Sequence, residues 1–268
     1  MRPLVLKFGG ELLESAARLR LVVAAIREIA ASTPLAVVHG GGREIDAALK
    51  VAGIETRHIE GLRITDEPTL DVVVAVLAGA VNTRFVAALT TAGVAAVGLT
   101  GADARCGLSE PAPPHRTMDG RFVDLGRVGV PAEGADLRVV NTLVGSGFVP
   151  VVACIGVGRD GQLFNVNADT FAGHLAARLG ARRLVVAGTT PGVLDSNGAT
   201  IDRIDRASSA RLLANCTATA GMIAKLRACD DALLAGVDDV VIADGREPAA
   251  LVAAARDAAP AGATRLVR

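Results

Sequence analysis

Lys7 is an ammonium set inside the apolar run "PLVLKF", two residues before the pair Gly9-Gly10. Burying a charged amine is costly unless an anion meets it. A lysine at the C-terminal end of a strand therefore points to a negatively charged ligand, more than to a side chain reaching for water. A second run, "LAVVHGGGREID" at residues 35–46, ends a strand on three glycines and passes straight into a helix. Glycine costs entropy on folding, so three together imply that the backbone must come very close to something. Exposed N–H groups at a helix N-terminus suit an anion, and glycines let a phosphate approach. A single glycine pair would be explained by a tight strand-to-helix turn. Gly9 and Gly10 together with Gly40, Gly41 and Gly42 shift the reading toward phosphate. Neither GxGxxG nor GxxxxGK[ST] occurs, which excludes the Rossmann and Walker forms of phosphate loop.

Two later stretches carry further candidates. In "GQLFNVNADTFAGHLAARLG", Asn165, Asn167 and Asp169 alternate and would share one side of an extended segment. Asp169 is also placed to cap the helix that follows, which accounts for it adequately, but not for two amides on the same side. In "TATAGMIAKLRACDDALLAG", Lys225 lies one helical turn after Gly221, and taken alone it reads as an exposed helix lysine. His39 ends a buried strand and reads as a hydrogen-bonded scaffold residue. His58, His115 and His174 have no ligand spacing, and no Ser-His-Asp or Cys-His arrangement is legible.

Elements must hold these residues in place. Short Val- and Leu-rich runs, "PLVLKF", "PLAVVH", "VAAVGL", "FVPVVACIG", "RRLVVAG" and "DDVVIAD", alternate with helical stretches at about 11–31, 43–52, 67–92, 136–146, 169–180, 207–215 and 221–236. This is the pattern of an α/β protein with a mostly parallel sheet covered by helices on both faces. In such sheets ligands bind at the carboxyl ends of strands, where both glycine turns fall. The Pro- and Gly-rich stretch "GADARCGLSEPAPPHRTMDGRFVDLGRVG" reads as projecting hairpins, and "GVLDSNGATIDRI" as another with Asn197-Gly198 at its tip. A soft boundary near residue 180 divides the chain into residues 1–180 and 181–268.

Composition narrows the function classes. The 268 residues carry 28 basic and 28 acidic side chains, so no basic footprint for nucleic acid or an anionic membrane is present. No apolar run is expected to reach bilayer length, and "MRPLVLKFGG" reads as a first strand, not a signal. Cys106, Cys154, Cys216 and Cys229 lack metal-ligand spacing and fit reduced cytoplasmic thiols, with neither zinc nor disulfides expected. Trp and Tyr are absent and Phe numbers 6, which removes aromatic stacking platforms.

Taken together, the segments resemble the amino acid kinase superfamily and, within it, the acetylglutamate kinases of arginine biosynthesis. The likeness spans nearly the whole chain: "KFGG" at 7–10, "VVHGGG" at 37–42, "GLRIT" at 61–65, "LAGAVN" at 77–82, "VGLTGAD" at 97–103, "GQLFNVNAD" at 161–169, "PGVLD" at 191–195 and "GMIAK" at 221–225. The resemblance implies a three-layer αβα sandwich in two lobes, with residues 1–180 holding the amino acid and the interface of a homodimer, and residues 181–268 holding the nucleotide. ATP, with Mg2+ bridging its phosphates, would phosphorylate the γ-carboxylate of N-acetyl-L-glutamate. A carboxylate is already a nucleophile at neutral pH, so the lack of a catalytic histidine agrees with this chemistry.

By the same resemblance, Lys7 and Lys225 would stabilise the transferring phosphoryl from opposite sides, with Asp169 holding both. Gly9, Gly10, Gly41 and Gly42 would present N–H groups to the phosphates and the reacting carboxylate. Arg63 and Asn165 would hold the substrate α-carboxylate, with Asn167 assisting nearby. Thr189, Gly192, Gly221 and Met222 would belong to the nucleotide lobe.

Two positions depart from the family pattern: Thr189 stands in "GTTPGV" where an Asp is usual, and Ala220 precedes Gly221 where Asp or Gly is common. The six residues before Lys7 leave no room for the N-terminal helix by which arginine-inhibited relatives form hexamers, so arginine insensitivity is expected. A lysine-pathway kinase acting on a carrier-bound aminoadipate shares nearly all these motifs, but its substrate calls for a basic surface. Arg105, Arg116, Arg121 and Arg127 keep that alternative open, while Thr189 and Ala220 motivate a non-catalytic sensor, against which Lys7, Asp169 and Lys225 argue.

Overall fold

The computed structural model describes residues 2–214, 220–256 and 262–268. Eight strands form one sheet in the order Arg203–Asp205, Thr264–Val267, Asp239–Asp244, Arg183–Gly188, Leu4–Phe8, Leu35–His39, Val149–Ala153 and Ala96–Thr100. The run from Asp239–Asp244 to Ala96–Thr100 is parallel throughout and consists of the strands expected from the Val- and Leu-rich runs. Thr264–Val267 is antiparallel to Asp239–Asp244. Every residue of Leu4–Phe8, Leu35–His39 and Val149–Ala153 is buried, because helices cover both faces of a parallel sheet. Strands from the first 180 residues fill one half of the sheet and later strands the other, with Leu4–Phe8 and Arg183–Gly188 paired at the junction.

The helices follow the expected segments with four instructive differences. "FVPVVACIG" is not one strand: it breaks at Cys154 into Val149–Ala153 of the large sheet and Ile155–Val157 of a separate four-stranded sheet. The long helix from Glu67 turns π-helical over Ala75–Val81 before continuing as Asn82–Thr91. Pro248–Ala255 is a helix that the sequence pattern hides, since "PAALVAAA" has no polar face to mark a helical period.

Bilayer length is the last difference. Glu67–Thr91, a helix of 25 residues whose most apolar 18-residue window has a mean hydropathy of 2.0, is long and apolar enough to cross a membrane by length and composition. No unbroken apolar run marks it in the sequence, because Asp71 and Arg84 interrupt the stretch. Val73, Leu77, Val81, Phe85 and Leu89 face the core, Val72, Val74, Val86 and Ala88 pack half-buried against it, and among the apolar side chains only the small Ala75, Ala80 and Ala87 are exposed. The expected hairpins form at His115–Arg116 with Phe122–Val123 and around Asn197-Gly198, where Asp195 N donates to Ala199 O at 2.8 Å.

Candidate active site

Leu4–Phe8 and Leu35–His39 pair in parallel with Phe8 beside His39, so their glycine turns leave the sheet together. Gly40 N donates to Phe8 O and Gly9 N to Ala187 O, each at 3.1 Å, which extends the pairing of three strands to the turns. The turns touch. A Cβ added to Gly10 would lie 2.5 Å from Gly41 Cα, and one added to Gly41 would lie 2.7 Å from Leu77 Cδ2. Gly42 differs: it opens the helix Gly42–Val51, and a Cβ there would meet nothing within 4 Å. Gly10 and Gly41 are thus glycine for the fold, whereas Gly42 faces open space.

A cleft of about 380 Å³ opens over these turns, and Lys7, Gly9, Gly10, Gly41, Gly42, Arg63, Asn165, Asn167 and Asp169 all line it. In that lining Lys7 Nζ lies 2.8 Å from Asp169 Oδ1, and Lys225, which does not itself line the cleft, brings its Nζ to 3.7 Å from the same oxygen. Lys225 is not the exposed helix lysine that its local sequence suggests. Its side chain is only 14% exposed, because the helix Ala220–Leu234 packs on Ala168–Arg178 and turns it inward.

Burial works against the charge of Lys7, but the Asp169 carboxylate outweighs it and holds the ammonium above its usual value. Lys225, farther from that carboxylate, is pushed below the ordinary lysine value by burial and then by the charge of Lys7. Burial opposes ionisation of Asp169 too, yet the two lysines hold it below the usual range. One carboxylate thus faces two ammonium groups, an arrangement that attracts an anion.

The helix cap also differs from expectation. Asn167, not Asp169, caps Ala168–Arg178: its Oδ1 accepts from Asp169 N at 2.9 Å and Thr170 N at 3.1 Å. The cap residue precedes the helix, which frees the Asp169 side chain in the first turn to meet the lysines. Asn165 Nδ2 donates to Thr65 Oγ1 at 3.1 Å. Arg63 is anchored, with Nη1 donating to Asp46 Oδ1 at 2.6 Å and Nη2 to Gly42 O at 3.3 Å.

His39 is a scaffold residue, as its place in the strand suggests. Its Nδ1–H donates to Gly40 O at 3.1 Å, and Nε2 accepts from Asn82 Nδ2 at 3.0 Å, since an amide nitrogen can only donate. Complete burial pushes its pKa down to about 4, so the ring is neutral at physiological pH.

The nucleotide-lobe candidates stand apart from this cleft's lining. Thr189 follows the strand Arg183–Gly188, Gly192 packs so closely on Thr264 that a Cβ would lie 2.9 Å from its backbone nitrogen, Gly221 is exposed, and Met222 packs against the core. Cys216 and the turn before Ala220 lie outside the described residues. Residues missed by sequence reasoning include Asp46, which orients Arg63, and Cys154, which lines the cleft with its thiol pushed up to about 12 by burial. Glu11 also lines it, and an acid directly after a glycine pair was the signal available.

Similarity to known proteins runs along nearly the whole chain. A model described as "Amino acid kinase family" matches residues 2–244. An acetylglutamate kinase of Novosphingobium aromaticivorans is 43% identical over 225 residues, covering 81% of this chain and 74% of the relative. One from Rhodopseudomonas palustris is 41% identical over 257 residues, covering 93% and 85%. Among solved structures, N-acetylglutamate synthase from Neisseria gonorrhoeae, complexed with coenzyme A and N-acetyl-glutamate, superposes with a TM-score of 0.83 at 23% identity. All of this chain is covered but only 59% of the synthase, a likeness of fold.

Proposed function

The chain belongs to the amino acid kinase family, and from that premise we propose that it transfers the γ-phosphoryl of ATP to the γ-carboxylate of N-acetyl-L-glutamate, yielding N-acetyl-L-glutamyl 5-phosphate for arginine biosynthesis. The observation that carries this reading is the pair of lysines held by one carboxylate beneath two touching glycine turns. The substrate carboxylate attacks without a general base. What the site must supply is relief of repulsion between that carboxylate and the triphosphate, which Lys7 and Lys225 provide as charge spreads over the phosphoryl oxygens. Asp169 keeps the two ammonium groups from repelling each other apart. The Gly9 N–H, expected to meet the ligand, is instead taken by Ala187 O, because the strand pairing runs on into the turn; the backbone N–H groups of Gly10, Gly41 and Gly42 meet phosphate and carboxylate oxygens, and the dipole of Gly42–Val51 adds to them.

Arg63, steadied by Asp46, and Asn165 take the substrate α-carboxylate, with Asn167 beside them. Two ammonium groups beside Asp169 make the floor a place for anions, so magnesium enters as part of the MgATP substrate, bridging phosphate oxygens. Residues 1–180 form the amino-acid lobe and residues 181–268 the nucleotide lobe, in which Thr189, Gly192, Gly221 and Met222 serve ATP. Buried free thiols at Cys106, Cys154 and Cys229 support a cytoplasmic setting.

A homodimer forms through the outward face of Glu67–Thr91 and the edge strand Ala96–Thr100. Its support is the row of small exposed residues Ala75, Gly79, Ala80 and Ala87, which would let a second helix approach closely, beside a strand at the edge of the sheet. Hydroxylamine trapping of the acyl phosphate tests the reaction. Product is expected from acetylglutamate with MgATP; no product there, with product from a carrier-bound aminoadipate, would overturn it.

A further inference from the structure

Glu11 stands directly after the first glycine pair, in the short turn Gly10–Leu12, and takes no part in the chemistry above. Its side chain folds back across Gly9 into the cleft, so closely that a Cβ on Gly9 would overlap both carboxylate oxygens and lie 2.5 Å from Cδ. Only glycine at position 9 permits that pose. Across the turn, Glu11 Oε1 and Lys225 Nζ each lie 3.7 Å from the point where a Cβ of Gly188 would stand. The carboxylate and the ammonium therefore both overlook the end of Arg183–Gly188, without closing into an ion pair. No ion pair or side-chain hydrogen bond to another described residue holds the carboxylate there. Its negative charge still favours the ammonium forms of Lys7 and Lys225.

Charge balance explains the placement. Lys7 and Lys225 against Asp169 leave one positive charge in excess, and Glu11 cancels it. Resting on the kinase reading, we propose that the Glu11 carboxylate is an anionic placeholder, standing at the phosphate approach in the empty enzyme and yielding to the phosphate chain when nucleotide binds. Because it is unanchored, it can move aside; because it is like-charged, its displacement lowers nucleotide affinity in proportion to phosphate charge. Glu11 is then a determinant of affinity among ATP, ADP and AMP, and it sets no step of the transfer itself.

Calorimetric titration of Glu11→Gln, which keeps shape and removes charge, tests this. The Kd for MgATP should fall roughly three- to tenfold, that for ADP less, and that for AMP not at all, with kcat within about twofold of the parent. Glu11→Ala serves equally if the Gln variant folds poorly. Unchanged or weaker ATP binding overturns the proposal, and so does a lower kcat at unchanged Kd, which would make Glu11 a prop for Lys225. Tripolyphosphate titrated against parent and variant separates this from failure of the kinase reading. Tighter binding to the variant supports the placeholder even if the parent traps no acyl phosphate, and equal binding refutes it.

Discussion

At the scale of residues, the two lysines are alike in charge and unlike in setting. Lys7 is gripped at 2.8 Å by Asp169, whereas Lys225 stands at 3.7 Å with its charge disfavoured by burial. In the proposed reaction both act on charge that develops in the transition state, so Lys7→Ala or Lys225→Ala should lower kcat by about 10²- to 10³-fold and change the Michaelis constants far less. Lys→Arg should not rescue either, because a planar guanidinium cannot take the place of a point charge. Arg63→Ala should act chiefly on the Michaelis constant for acetylglutamate, since its partner carboxylate keeps its charge through the reaction. Steady-state kinetics on purified variants decides this: turnover within a few-fold of the parent for either lysine variant would falsify the assigned roles.

Among elements, the glycine turns do two jobs that substitution can separate. Gly10 is pressed against Gly41, so Gly10→Ala must push two strand-to-helix turns apart and should cost about 1–3 kcal/mol of stability in chemical denaturation. Gly42 has room for a methyl group in the fold but lines the cleft proposed to take the ligand. Gly42→Ala should therefore keep the parent's denaturation midpoint while raising a substrate Michaelis constant by about tenfold or more. Equal loss of stability in both variants would mean that neither glycine is reserved for ligand. The π-helical segment Ala75–Val81 belongs to the same arrangement, since it delivers Leu77 to Gly41 and to the wall of the cleft.

Viewed as a whole, the molecule has a continuous sheet whose strand ends deliver Lys7, both glycine turns and Gly188 to one edge. The opposite concern is the surface left over. Glu67–Thr91 presents the small side chains of Ala75, Ala80 and Ala87 outside the core, next to the edge strand Ala96–Thr100, whose far side pairs with no strand among the described residues. A dimer closing over both is expected, so light scattering at micromolar concentration should return twice the chain mass. Ala87 lies exposed on this face, and Ala87→Arg should yield a folded monomer with an unchanged far-UV spectrum. A monomeric parent would refute the interface.

Sequence alone determined the parallel strands, the turns at their carboxyl ends and the chemistry of an anion site, because these rest on local signals: a run of branched residues, a glycine cluster, a lysine where no lysine is cheap. Tertiary structure decided what depends on partners distant in the chain. Lys225 looks exposed until the helix Ala168–Arg178 packs beside it and turns its ammonium toward Asp169. Asp169 looks like a cap until Asn167 takes that place. The helix Pro248–Ala255 had no polar face to reveal it, and the touch of Gly10 on Gly41 could not be read from either turn. Glu11 is the sharpest case, for its meaning lies in Gly9, Gly188 and Lys225, which share no local pattern with it. Hydrophobic period and backbone preference act over a few residues and can be read along the chain; electrostatic fields and steric exclusion act through space and exist only once the strands are side by side.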